Sequence, residues 1–169
     1  MALLHFDSYL DRWKHRLLSM CGSTDYRDHL QRSGVSYKDF TLTAAQMNTL
    51  NATPVSILAA PGAGLVNIPV GILTYVDAGA TPFELGSGVL DYKYTNGSGA
   101  KAGTSVTNAA VESATDTQFL SIPEAVVPVP NAAIVAHASA DVTAGDGTVY
   151  GRIWYRTVKL AEVGVVTQP

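Results

Sequence analysis

Residues Pro54–Gly79, PVSILAAPGAGLVNIPVGILTYVDAG, decide the fold. Two apolar, β-rich runs, Val55–Ala60 and Leu65–Val76, flank the break Pro61-Gly62-Ala63-Gly64, and strands meeting at a turn are the simplest reading of that pattern. Pro61 presets φ for the first central position of a turn and Gly62 tolerates φ > 0 at the second, so the dipeptide fits a type II turn. The expectation is a β-hairpin that seeds a sheet.

Outward from that hairpin the chain reads as further strands: Val35–Leu42, Val89–Thr95, Ser105–Val111, Gln118–Ile122, Ala132–Ser139 and Thr148–Leu160. Thr43 followed by Gln46 is a capping-box pattern, so a short helix is expected over Ala44–Leu50. Asn96-Gly97-Ser98-Gly99, the Pro-rich run Pro123–Pro130 and Gly145-Asp146-Gly147 mark loops. Turns at such short intervals, without alternating helices, predict a mainly β fold: an antiparallel β-sandwich, jelly-roll-like, of about eight strands.

Upstream of Val35 the composition changes. His5, His15 and His29, the single Cys21 and the cations Arg12, Lys14, Arg16, Arg27 and Arg32 all precede it. Leu3, Phe6, Leu10, Trp13, Leu17 and Met20 recur at alternating spacings of three and four, one stripe of a helix. Early Asp7 and Asp11, late Lys14, His15 and Arg16, and Gly22 as a stop suit the helix dipole. The predicted organisation is an N-terminal helical arm over 1–34, a β-sandwich domain over 35–160 and a C-terminal tail over 161–169. The stripe either packs on its own domain or seats in a neighbouring subunit.

At 169 residues the chain is long enough for one domain core plus an appendage. Charged residues are 15% of it, against about 25% in a typical soluble domain, which favours contact surface over a heavily solvated monomer. A net charge of −3 gives no overall attraction to nucleic acid or to an anionic membrane. One cysteine excludes an intrachain disulfide and a cysteine-rich zinc site. No apolar run reaches the roughly 20 residues that span a bilayer, and the charges of the first helix interrupt any signal-peptide core, so the expectation is use without secretion.

The candidate catalytic patterns in the chain are all incomplete. Pro61–Gly64 and the Gly97–Thr104 run lack the glycine, lysine and hydroxyl spacing of a phosphate loop and read as turns. His137, Ser139 and Asp141 alternate, yet place the serine in the middle without a nucleophile elbow. Asp141 and Asp146 lack the ligand alternation of a calcium loop, and the three arm histidines lack an i, i+4 pair. No catalytic, cofactor or metal residues are expected. Tyr150, Arg152, Trp154 and Arg156 alternate onto one face of the last strand, opposite Val149, Ile153 and Tyr155. With no other basic cluster in the β-domain, that face reads as a subunit interface rather than a nucleic-acid platform. With the arm stripe it makes the expected partner surface.

The segments LNATPVSILAAPGAGLVNIPVGILTYVDAGATPF, LDYKYTNGSGA, SATDTQFLSIP and GRIWYRTV together resemble a family of small tailed-bacteriophage structural proteins. The shared elements correspond to Ala52–Gly64, Val70–Asp77, Tyr94–Gly99 and Ala114–Thr117, within Thr43–Val158, with Leu65 where Lys often follows PGAG. The resemblance implies a virion component. With one domain and no catalytic constellation, the expectation is a capsid decoration or cement protein, a homotrimer without cofactor. It would be made in the host cytoplasm, bind the major capsid protein on the capsid exterior, and engage neither nucleic acid nor membrane. A tail, neck or fibre-base component and a carbohydrate- or receptor-binding module are the alternatives.

Overall fold

The computed structural model describes residues 34–123 and 126–160. The chain divides into the units Met1–Val35 and Ser36–Pro169, and the fold described is that of the second. The arm stripe from Leu3 to Met20 lies outside the described residues, as does the tail.

Seven strands are present among the described residues: β1 (Ser36–Leu42), β2 (Val55–Leu58), β3 (Leu65–Asp77), β4 (Leu90–Tyr94), β5 (Thr117–Ser121), β6 (Ile134–Ala138) and β7 (Thr148–Lys159). Two one-turn helices, α1 (Ala44–Met47) and α2 (Asn108–Val111), interrupt them. All pairings are antiparallel. The strands form a four-stranded sheet in the order β1-β7-β3-β5 and a three-stranded sheet in the order β2-β6-β4. Consecutive strands always lie in different sheets, so every connection crosses from one layer to the other.

The two sheets share one core. Leu42, Ile72, Val76, Val149 and Ile153 from the larger sheet meet Ile57, Leu58, Leu90, Tyr92, Tyr94, Ile134, Ala136 and Ala138 from the smaller. Period-two alternation delivers these side chains inward. On β7 Val149, Gly151 and Ile153 are buried, while Tyr150, Arg152 and Trp154 between them are half-buried. Gly151 makes room: a Cβ there would collide with the ring of its cross-strand partner Phe40, which crosses the strand to meet Tyr92 edge-on at 5.9 Å.

The PGAG break is not a hairpin. β2 pairs with β6 and β3 with β5 and β7, so the break is a corner between sheets. Its hydrogen-bonded turn is shifted from Pro61-Gly62 to the next residues: Leu65 N–H donates to Gly62 O at 3.2 Å, and Gly62 and Gly64 both have positive φ. Distant segments hold it. Gly62 N–H donates to Asn131 Oδ1 at 3.1 Å, Asn131 N–H donates to Leu65 O at 2.9 Å, and Leu160 N–H donates to Gly64 O at 3.0 Å.

Ser105–Val111, expected as a strand, is corrected as well. Only Val106 forms a bridge, to Leu90, and α2 then begins after Thr107. Asn108 donates its side-chain amide to Gly86 O at 2.7 Å and accepts Ala109 N–H at 2.9 Å, local bonding that competes with a ladder. The capping box does form: Gln46 N–H donates to Thr43 Oγ1 at 3.3 Å and Thr43 N–H to Gln46 Oε1 at 3.0 Å. Pro69 lies in β3 beyond the span that pairs with β5, next to a bulge at Val70, the kind of position at which a strand tolerates proline.

Candidate functional site: the outer face of the four-stranded sheet

Register assembles this face from four strands. Thr41, Tyr150, Tyr75 and Gln118 form one row across β1, β7, β3 and β5; Asp39, Arg152, Leu73 and Leu120 form the next; Tyr37, Trp154 and Gly71 a third. The Tyr75 and Tyr150 rings lie 6.3 Å apart. Tyr37 is 47% exposed and Leu120 55%. Such a concentration of Tyr, Trp and Arg on one sheet face has the composition of contact hot spots.

Arg152 is pinned in the middle. Its Nε donates to Asp39 Oδ1 at 2.5 Å and its Nη2 to Asp39 Oδ2 at 2.8 Å, a bidentate pair, while its guanidinium stands 4.4 Å from the Tyr37 ring centroid. Asp39 is 60% exposed, so solvent screening limits the pair to about 1 kcal/mol or less. Its effect is to hold the guanidinium flat in one orientation. Tyr75 donates its hydroxyl to Asp116 Oδ2 at 2.5 Å; burial first, and then that carboxylate, pushes its phenol above the ordinary range. Asp116 also accepts Ala78 N–H through Oδ1 at 3.3 Å, so it ties the end of β3 to the approach to β5.

Of the residues singled out by sequence, Tyr150, Arg152 and Trp154 come together here. Arg156 continues the alternation past the reach of β1, opposite Ile68, and is exposed. Tyr37, Asp39, Leu73, Tyr75 and Leu120 were not anticipated. The alternation of Tyr37, Asp39 and Thr41 was visible in the sequence, but which strands lie beside β7 is a tertiary fact that no local pattern encodes.

The other candidates separate. Ser139 Oγ accepts Val89 N–H at 2.9 Å, and Asp141 Oδ1 accepts the Asn51 amide at 2.8 Å. Asp146 Oδ1 accepts Ala80 and Thr81 N–H at 2.9 and 2.8 Å, so that carboxylate fastens a loop. Among the described residues no group of three His, Cys, Asp or Glu side chains could hold a metal ion, and no helix is long and apolar enough to cross a membrane.

An ion cluster around a buried carboxylate, missed from the sequence, lies on the outer side of the three-stranded sheet. The Asp91 side chain is only 3% exposed, with Lys101 Nζ at 3.0 Å and Lys93 Nζ at 3.5 Å. Ser105 Oγ donates to Asp91 Oδ1 at 2.6 Å, and Lys101 Nζ donates to Ser105 Oγ at 2.7 Å. Burial alone would raise the Asp91 carboxyl, but the Ser105 hydroxyl and the two ammonium groups outweigh it and hold it below the ordinary range. The available signal was Asp91 and Lys93 at i, i+2 among three buried residues of a short strand.

No protein-family model matches the chain, and no curated protein matches it significantly. Among solved structures it is similar to a chain of the acidic stable capsid structure of Helicobacter pylori bacteriophage KHP30, at 12% identity and TM-score 0.48, over 74% of this chain and 93% of that one. It is also similar to a chain of the Cyanophage Pam1 capsid asymmetric unit, at 17% identity and TM-score 0.43, over 72% and 81%. A chain of the capsid of Ralstonia phage GP4 aligns at 14% identity and TM-score 0.36, over 72% and 82%. Likeness at this level assigns neither residues nor function, and the functional reading rests on this chain's own residues.

Proposed function

We propose that this chain is a non-enzymatic structural protein of a tailed-bacteriophage virion, a capsid decoration or cement protein that binds the major capsid protein lattice from outside as a homotrimer. The observation that carries the reading is the outer face of the four-stranded sheet. Its aromatic side chains and pinned Arg152 form a broad contact surface on a rigid support, and retention on a lattice through many weak contacts needs no active site. The motif resemblance over Thr43–Val158 supplies the virion context. In this reading the arm stripe, Leu3 to Met20, grips a neighbouring subunit.

A jelly-roll architecture is part of the proposal. The strand orders β1-β7-β3-β5 and β2-β6-β4, with the first and last strands paired, support it. So does the segment 101–106, bridged antiparallel to β4 at Lys93–Lys101 and Leu90–Val106, where an eighth strand would complete a second four-stranded sheet.

Copy number per particle tests the function. Quantitative mass spectrometry of purified virions should find on the order of hundreds of copies; a dozen or fewer would reject decoration in favour of a tail or neck component, because multivalent coating of a shell needs one site per lattice unit.

A further inference from the structure

Asp91 on β4 and His137 on β6 are cross-strand partners, and the Asn96–Gly99 turn closes over the imidazole. A Cβ on Gly97 would lie 2.6 Å from His137 Nε2 and closer still to Cδ2, so the turn can pack this tightly only with glycine there. Lys93 Nζ donates to Gly97 O at 2.6 Å. Within the turn, Asn96 Oδ1 accepts Ser98 N–H at 2.9 Å and Asn96 O accepts Gly99 N–H at 3.0 Å. His137 Nδ1 is buried without a hydrogen-bond partner.

The charged groups facing this ring are few. β4 contributes Asp91 and Lys93, and the bridged segment contributes Lys101, which reaches Asp91. The turn contributes only Asn96, Gly97, Ser98 and Gly99, and β2 presents uncharged Val55 and Ser56 beside Ala136 and Val135. Asp91 already receives the Ser105 hydroxyl and both ammonium groups. An imidazolium would add a third cation against one committed carboxylate, and a proton at Nδ1 would be a buried N–H without an acceptor.

We propose that the Asn96–Gly99 turn is an acid-released latch, held on the sheet while His137 is neutral and freed when the ring takes up a proton. The only chemical step is transfer of a proton from water to an imidazole nitrogen. Burial, then Lys93, lowers the His137 pKa against the opposing pull of Asp91. A depressed folded-state pKa means that the latch is intact above the ordinary value of 6.5 and lost as the pH falls below it. Release would bare the Gly97, Ser98 and Gly99 amides together with Lys93. The latch does not depend on the virion reading.

Amide hydrogen exchange over residues 94–101 of the full chain, corrected for intrinsic rates, tests it at about pH 7.5 and about pH 5. The native protein should lose protection by about tenfold at acid pH, and His137→Gln should show no such loss. Gly97→Ala, which fills the space over the ring, should be unprotected at both values. Equal protection of the native turn at both pH values, the same loss in His137→Gln, or native-like protection in Gly97→Ala would overturn the proposal. Independently of any variant, the His137 ring followed by NMR should titrate below 6.5, and titration at or above that value would also overturn it.

Discussion

Thr74 Oγ1 and Tyr92 OH lie 2.6 Å apart with both side chains buried, joining the four-stranded sheet to the three-stranded one through the middle of the core. Removing either hydroxyl leaves the other unsatisfied in an apolar surround, which costs about 1–3 kcal/mol. Thr74→Val and Tyr92→Phe should each destabilise the fold by that amount, and the double variant by clearly less than the sum. Urea denaturation of the four proteins in a cycle reads the coupling.

Burial also pushes the Tyr92 phenol up, opposed by its bond to Thr74, and burial raises Tyr94 to about 12. For phenols raised in the folded state, stability is complete below the unfolded value of 10.0 and falls as the pH rises above it. Part of the tyrosine absorbance change should therefore be delayed past the ordinary range and arrive with alkaline unfolding. A spectrophotometric titration in which all tyrosines ionise together near 10 while the fold persists contradicts this.

Asn131 holds the PGAG corner with φ +49 while bonding Gly62 and Leu65. Asn131→Ala forces a Cβ-bearing residue without a polar side chain into the left-handed region and should cost about 1–2 kcal/mol or more. Asn131→Gly keeps the conformation and loses only the side-chain bond, so its midpoint in urea should lie between alanine and wild type.

Strand positions and their alternation were largely legible in the sequence; the partners were not. Val149, Ile153 and Tyr155 do line the core side of β7, because period-two burial is written locally. The PGAG corner misled because glycines with positive φ serve a hairpin and an inter-sheet crossing equally well. What selects the crossing is Asn131 and Leu160, far along the chain. The candidate face was half visible for the same reason: Tyr150, Arg152 and Trp154 alternate within one strand, whereas Tyr37, Asp39 and Leu120 join them only through strand order.

Gly151 and Phe40 form a second close pairing. Gly151→Ala drives a methyl into the Phe40 ring, an overpacking cost of about 1–3 kcal/mol. Combined with Phe40→Leu, the change should cost less than the two single substitutions added together, again read from denaturation midpoints. Strict additivity would contradict contact between residue 151 and the Phe40 ring.

Asp91 sets the acid limb of stability. Its carboxyl is depressed in the folded state, so its contribution is complete above the unfolded value of 3.8 and disappears as the pH falls below it. Asp91→Asn should destabilise the protein at neutral pH by about 1–3 kcal/mol, because the charge-assisted bonds from Ser105, Lys93 and Lys101 are weakened while half-exposed Lys101 is still solvated, and should flatten the dependence of stability on pH in the acid range.

A reconstruction of the virion by electron microscopy tests the central claim most directly. It should show this chain on the outside of the capsid shell in symmetric copies, with Tyr37, Arg152, Trp154 and Leu120 buried against a neighbouring protein. A particle that lacks the chain, or carries it with that sheet face turned to solvent, would contradict the account.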